Sequence, residues 1–102
     1  MKSFLIIGMG SFGHHLCRAL SEQRCEVMAV DRSSGALEDV LPLVVSAKVG
    51  DCTNEEVLRS FAVESFDACF VCLGDDVLGS LQITSLLKEL GARKVFSKAE
   101  DD

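Results

Sequence analysis

The stretch Ser3-Phe4-Leu5-Ile6-Ile7-Gly8-Met9-Gly10-Ser11-Phe12-Gly13 decides the fold of this chain. Residues 3–7 form a continuous apolar run, the pattern of a strand covered on both faces. Ser11 to Gln23 follows with Phe12, Leu16, Ala19 and Leu20 at i, i+4, i+7 and i+8, one apolar stripe of a helix. Between them lies G-x-G-x-x-G. Alone that pattern is weak. Here it joins a buried strand to an amphipathic helix, and an acid, Asp31, stands eighteen residues after the last glycine. That context reads as a dinucleotide-binding turn.

Each position has a physical role. Gly8 permits the tight turn, Gly10 lets the backbone approach a pyrophosphate, and Gly13 lets the helix pack close to the strand. The N–H groups at the helix start supply partial positive charge for phosphate. Asp31, at the end of the strand Glu26 to Val30, can accept from both ribose hydroxyls and would repel a 2′-phosphate, an effect that adjacent Arg32 weakens.

The same alternation continues outward. Ser33 or Ser34 can cap a short helix that stops near Pro42. Leu43 to Val49 reads as a third strand, closed by Gly50-Asp51. Thr53 and Glu56 make a capping-box pattern, with Thr53 as the N-cap of a helix to about Phe61. Ala68 to Leu73 is a fourth strand. Asp75 or Asp76 opens a long helix that Gly91 ends, and Lys94 to Ser97 is a fifth strand. Five strands with intervening helices predict an α/β, Rossmann-type parallel sheet in the order 3-2-1-4-5, with helices on both faces.

Gly50-Asp51-Cys52-Thr53 and Leu73-Gly74-Asp75 fall at the carboxyl ends of the third and fourth strands, where both can line the cleft. In the second of these, helix capping is the competing role for Asp75 and Asp76. On the long helix, Ile83, Leu86, Leu87 and Leu90 share one face, and Val77, Leu78 and Leu81 lie nearly opposite. The second face serves either a partner or a neighbouring helix.

Composition narrows the function. The net charge of −6, with no cluster of Lys and Arg, argues against nucleic acid. The apolar N-terminal run is too short for a signal peptide or a membrane span. Five cysteines, an odd number without a secretory signal, point to free thiols in a reducing compartment. Cys69 and Cys72 have redox or zinc spacing, but they sit in a strand, where side chains three apart face opposite ways, so buried core thiols are expected. His14 and His15 are placed on a helix flank. No nucleophile–base constellation and no metal-ligand spacing emerges.

With these residues in place, the chain resembles the RCK/KTN family (TrkA-N type), cytosolic nucleotide-binding regulators of potassium channels and of Trk- and Ktr-type transporters. The order of the glycine loop, Asp31, Gly50-Asp51-Cys52-Thr53, Leu73-Gly74-Asp75 and Phe96-Ser97-Lys98-Ala99 carries the likeness. The resemblance implies a gating subunit rather than an enzyme, binding NAD(H) or ATP/ADP, with a membrane potassium transporter or channel as partner. It also implies dimers assembling to a ring, a cytoplasmic location at the inner membrane face, and Lys98 near the nucleotide. The expected cofactor-binding set is Gly8, Met9, Gly10, Ser11, Phe12, Gly13, Asp31, Arg32, Asp51, Cys52, Leu73, Gly74 and Lys98. Ser11 departs from the Arg that many members carry facing phosphate. The expectation for residues 1–102 is one N-terminal lobe, ending before the dimerisation segment. The alternatives are the cofactor half of an NAD-dependent oxidoreductase and a stand-alone NAD-binding redox sensor.

Overall fold

A computed structural model describes residues 1–98. Ala99, quoted above for the family likeness, lies outside them. The elements in order are β1 (Ser3–Ile7), α1 (Ser11–Glu22), β2 (Glu26–Asp31), α2 (Ser34–Leu37), a 3-10 turn (Glu38–Leu43) and β3 (Ser46–Val49). Then follow α3 (Glu55–Arg59), a second 3-10 turn (Val63–Ser65), β4 (Ala68–Val71), α4 (Val77–Glu89) and β5 (Val95–Ser97). The strands form one parallel sheet in the order β3-β2-β1-β4-β5. Ile7 sits level with Val30 on one side and Val71 on the other, and Asp31 is level with Val49. The carboxyl ends of β1, β2, β3 and β4 therefore meet along one edge.

Right-handed crossovers to either side of β1 put α1 and α2 on one face and α3 and α4 on the other. The strand residues divide accordingly. Ile6, Val27 and Ala29 pack with Cys17 and Val40 on the first face. Leu5, Ile7, Val30, Cys69 and Val71 pack with Leu58, Ile83 and Leu87 on the second. Cys69 and Cys72 fall in different core clusters, as the strand reading required, and both are buried free thiols. Burial pushes the thiol of Cys69 up to about 11. That of Cys72 rises to about 12, chiefly by burial, with Cys17 adding and Lys98 opposing. Neither is a thiolate near neutral pH, which removes them as nucleophiles. Cys25, partly exposed, is the exception to burial among the five cysteines.

Four local expectations need correction. The third strand starts at Ser46 rather than Leu43, because the 3-10 turn carries Pro42 and runs through Leu43. The fixed φ of proline suits such a turn and its missing N–H cannot serve a ladder. The N-cap of α3 is Asn54, whose Oδ1 accepts from the Glu56 N–H at 2.9 Å, not Thr53. The helix opens at Glu55, so the cap position falls on Asn54, and the Thr53 hydroxyl turns back to donate to Asp51 Oδ1 at 2.7 Å. The helix also ends at Arg59, and Ala62 enters the left-handed region soon after, so it is shorter than expected. The fourth strand stops at Val71, since Cys72 and Leu73 already turn into the loop at Gly74.

On α4, Asp76 is the cap, its Oδ1 accepting from the Gly79 N–H at 2.9 Å. Gly91 takes φ +91° just past the end, as a helix stop requires. Ile83 and Leu87 are buried against the sheet, whereas Leu78 and Leu81 are 68% and 63% exposed. Among the described residues no neighbouring helix covers that second face.

Candidate functional site

At the end of β1 the chain must turn sharply, and Gly8 does so at φ +99°. A Cβ there would run into the carbonyl oxygen of Cys72. Gly13 is equally constrained, because a Cβ on it would collide with the carbonyl oxygen of Gly8. Those two glycines draw α1 tight against the sheet. Gly10 differs: a Cβ placed on it meets nothing within 4 Å. Its backbone is extended and unstrained, so a glycine there leaves room for something outside the chain. Such open space would admit a passing pyrophosphate.

Gly10 is also the N-cap of α1, with no side chain capping the helix and no acid in its first turn. The opening N–H groups of a helix lack intrahelical partners and carry the positive end of its dipole. An anion over Gly10 would find those donors aimed at it. The residue types present fit a nucleotide diphosphate.

Asp31 is more deeply built in than the sequence shows. Its Oδ2 accepts from the Met9 N–H at 2.8 Å, and its Oδ1 from the Ser33 N–H at 2.9 Å. The carboxylate thus ties the glycine loop to the end of β2. Each oxygen retains a lone pair for a ribose hydroxyl. Asp31→Ala should therefore weaken ADP or NAD binding by about 1.5–3 kcal/mol, the worth of hydrogen bonds to a charged group. A dideoxyribose ligand should lose less, by isothermal titration; equal losses would mean that the carboxylate acts only through the loop.

Two adjoining hollows gather the expected residues. Gly8, Asp31, Arg32, Asp51, Cys52 and Leu73 line one, joined by Ile7, Thr53, Asp76 and Ile83. Gly10, Ser11, Phe12, Gly74 and Lys98 line the other, with His15 and Cys72. The Lys98 ammonium lies 5.5 Å from the centroid of the Phe12 ring, so β5 and the glycine loop face each other. Met9 and Gly13 are in neither hollow. Met9 turns its side chain into the core beside Cys17 and offers its N–H to Asp31, while Gly13 serves packing. Cys52 is buried, and its thiol is pushed up to about 12, first by burial and then by the Asp51 and Asp31 charges. It supplies apolar wall. Ile7, Cys72, Asp76 and Ile83 were missed as lining residues; the buried stripe of α4 is the signal that places Ile83 there. His14 and His15 border a shallow hollow with Ser11 and Arg18 on the outer side of α1. No group of His, Cys, Asp and Glu suited to a metal ion occurs among the described residues.

A glycine loop between a central parallel strand and a bare helix N-terminus, with an acid ending the next strand, defines a Rossmann-type nucleotide-binding fold. The NAD(P)-binding domain of an exopolyphosphatase-related protein from Archaeoglobus fulgidus shares it, with TM-score 0.72 at 24% identity over 95% of this chain and 88% of that one. The TrkA-N domain of the inner membrane protein YbaL from Escherichia coli does so too, with TM-score 0.69 at 16% identity over 94% and 87%. The TrkA-N domain matches residues 4–102, and the chain belongs to that family. Among relatives, Ktr system potassium uptake protein C of Bacillus subtilis is 38% identical over 99% of this chain and 46% of its own length. Ktr system potassium uptake protein A of Vibrio alginolyticus is 33% identical over 98% and 46%. The chain thus spans just under half the length of these relatives.

Proposed function

We propose that this chain is the nucleotide-sensing module of a potassium-uptake system, acting in the cytoplasm at the inner face of the membrane and performing no catalysis. The observation that carries this reading is the open cradle at Gly10, backed by an uncapped helix N-terminus and flanked by Asp31. The family membership and the names of the Ktr relatives support the transport role. No helix among the described residues is long and apolar enough to cross a membrane.

The ligand is NAD(H) or ATP/ADP. Backbone donors from Ser11, Phe12 and Gly13 hold its diphosphate over Gly10. Asp31 takes the ribose, and Arg32, Asp51 and Cys52 border the base. Leu73, Gly74 and Lys98 border the far end, across the switch point between β1 and β4. The loops that touch ligand lead directly into α1 and α4, so ligand state can bias how those helices meet a partner, another copy or the transporter. A ligand shifts such an equilibrium only by its differential affinity for the two states.

A thermal-shift panel of NAD, NADH, ATP, ADP and NADPH tests the reading. A ligand at a hundredfold excess over its Kd should stabilise by about 2.7 kcal/mol, a Tm rise of roughly 10 °C or more. No shift with any of the five would overturn it. Hydride transfer from any substrate would instead favour an oxidoreductase.

The exposed side of α4 is the proposed contact surface in a dimer or ring. Leu78→Glu should weaken self-association or docking to the transporter, followed by ultracentrifugation. Nucleotide affinity should stay within about threefold, because Leu78 and the cleft share no partner. A folded variant with assembly and docking intact would remove α4 as an interface.

A further inference from the structure

We propose that Cys17, Cys72 and Met9 form a binding site for a soft monovalent cation, Cu(I), beneath the glycine loop. The site stands on its own geometry and does not depend on the nucleotide reading.

Three elements bring the sulfurs together. Met9 follows Gly8 at the end of β1 and turns its side chain inward, where Cys17 Sγ lies 3.8 Å from its sulfur. Cys72 follows β4 alongside, its N–H donating to the Ile7 carbonyl at 2.7 Å. A Cβ on Gly13 would face the Gly8 carbonyl and stand 3.6 Å from the Met9 methyl carbon. Cys17 is one turn further along that same side of α1. The three side chains pack in one cluster, and each is at most 5% exposed. Cys72 also borders the hollow of Gly10 and Gly74, which gives an ion a way in.

The donor set selects the metal. Thiolates and thioethers are soft ligands and favour Cu(I) over harder divalent ions. Zinc in a structural site takes four ligands, commonly Cys and His. Among the described residues no group of His, Cys, Asp and Glu suits such an ion. Two thiolates and a thioether satisfy a cation that accepts low coordination numbers.

Charge agrees with that choice. Both thiols are protonated in the free protein, because burial pushes Cys17 up to about 11 and Cys72 up to about 12. Cu(I) displaces both protons to solvent and leaves a complex with one net negative charge. A buried charge needs a counter-charge. Lys98 stands close enough to favour the thiolate of Cys72, and the positive end of the α1 dipole lies at the same loop. Met9 ties the site to the cleft, since its N–H donates to Asp31 while its sulfur faces Cys17. A cation seated there would fix the glycine loop in its present shape.

The test is anaerobic competition for Cu(I), kept reduced with ascorbate, against the chromogenic chelator bicinchoninate. The unaltered protein should withdraw a single equivalent of Cu(I), and X-ray absorption at the copper edge should show sulfur ligands only. Cys17→Ala and Cys72→Ala should each weaken binding by at least about a hundredfold. Met9→Leu, which conserves core volume, should weaken it by about tenfold and remove one sulfur from the copper. Cys25→Ser, beyond the far end of α1, should leave it unchanged. Failure of the unaltered protein to withdraw copper overturns the proposal without recourse to a variant. So do nitrogen or oxygen ligands in the spectrum, binding that survives Cys17→Ala or Cys72→Ala, and binding lost in Cys25→Ser. Should either alanine variant fail to fold, the spectrum of the unaltered protein and the Met9→Leu titration decide alone.

Discussion

Gly10→Val will keep the fold and lose ADP and NADH binding by at least about a hundredfold, some 2.7 kcal/mol. Gly10 has an extended backbone that valine readily adopts, and nothing in the chain lies within 4 Å of a Cβ there. The added isopropyl group enters only the space through which a diphosphate would pass. Its cost to the free protein is the loss of a good N-cap residue, about 1 kcal/mol or a Tm fall of roughly 4–8 °C. Titration calorimetry and a melting curve on the same sample separate the two effects. Unchanged affinity in the folded variant would place the ligand elsewhere.

Gly13→Ala should do the reverse, although the two glycines are three residues apart in one motif. Its Cβ would collide with the carbonyl oxygen of Gly8, and the carbonyl carbon stands only 3.1 Å away. Backbone at the end of a central strand cannot swing aside as a side chain can. Overpacking of this kind costs about 3 kcal/mol, so Tm should fall by more than about 10 °C. Moving α1 off β1 also separates the Met9 N–H from Asp31, which holds the loop in shape. A Tm within a few degrees of the unaltered protein would show that the helix is less tightly seated than these contacts require.

The motif in its strand–loop–helix context already divides these roles, Gly10 to open space and Gly13 to packing. What it does not give is the atoms that close in on Gly8 and Gly13, the carbonyl oxygens of Cys72 and Gly8. Asp31 was legible as an acid ending the second strand, yet its bond to Met9 was not, because only the sheet brings those two residues together; the bond to Ser33, two residues on, is a local turn. Thr53 failed as an N-cap. The capping box is a local pattern, and here the helix starts one residue later, with the Thr53 side chain turned back to donate to Asp51. The first-turn bond passed to Asn54.

By itself, the amino-acid sequence determined the order of strands and helices, the parallel sheet and the strand-loop-helix of the glycine turn. These follow from apolar periodicity, the glycines and the handedness of crossovers, all of which act over short stretches of chain. It also pointed to opposite faces for Cys69 and Cys72, and they do pack in different clusters although Cys72 falls just past the end of β4. Tertiary structure alone decided which atoms close in on Gly8 and Gly13, and that Leu78 and Leu81 stay exposed. It alone brought Met9, Cys17 and Cys72 together in one cluster. Such outcomes depend on which atoms from distant segments occupy the same few ångströms, and that is settled only when the sheet and both helical layers are packed together.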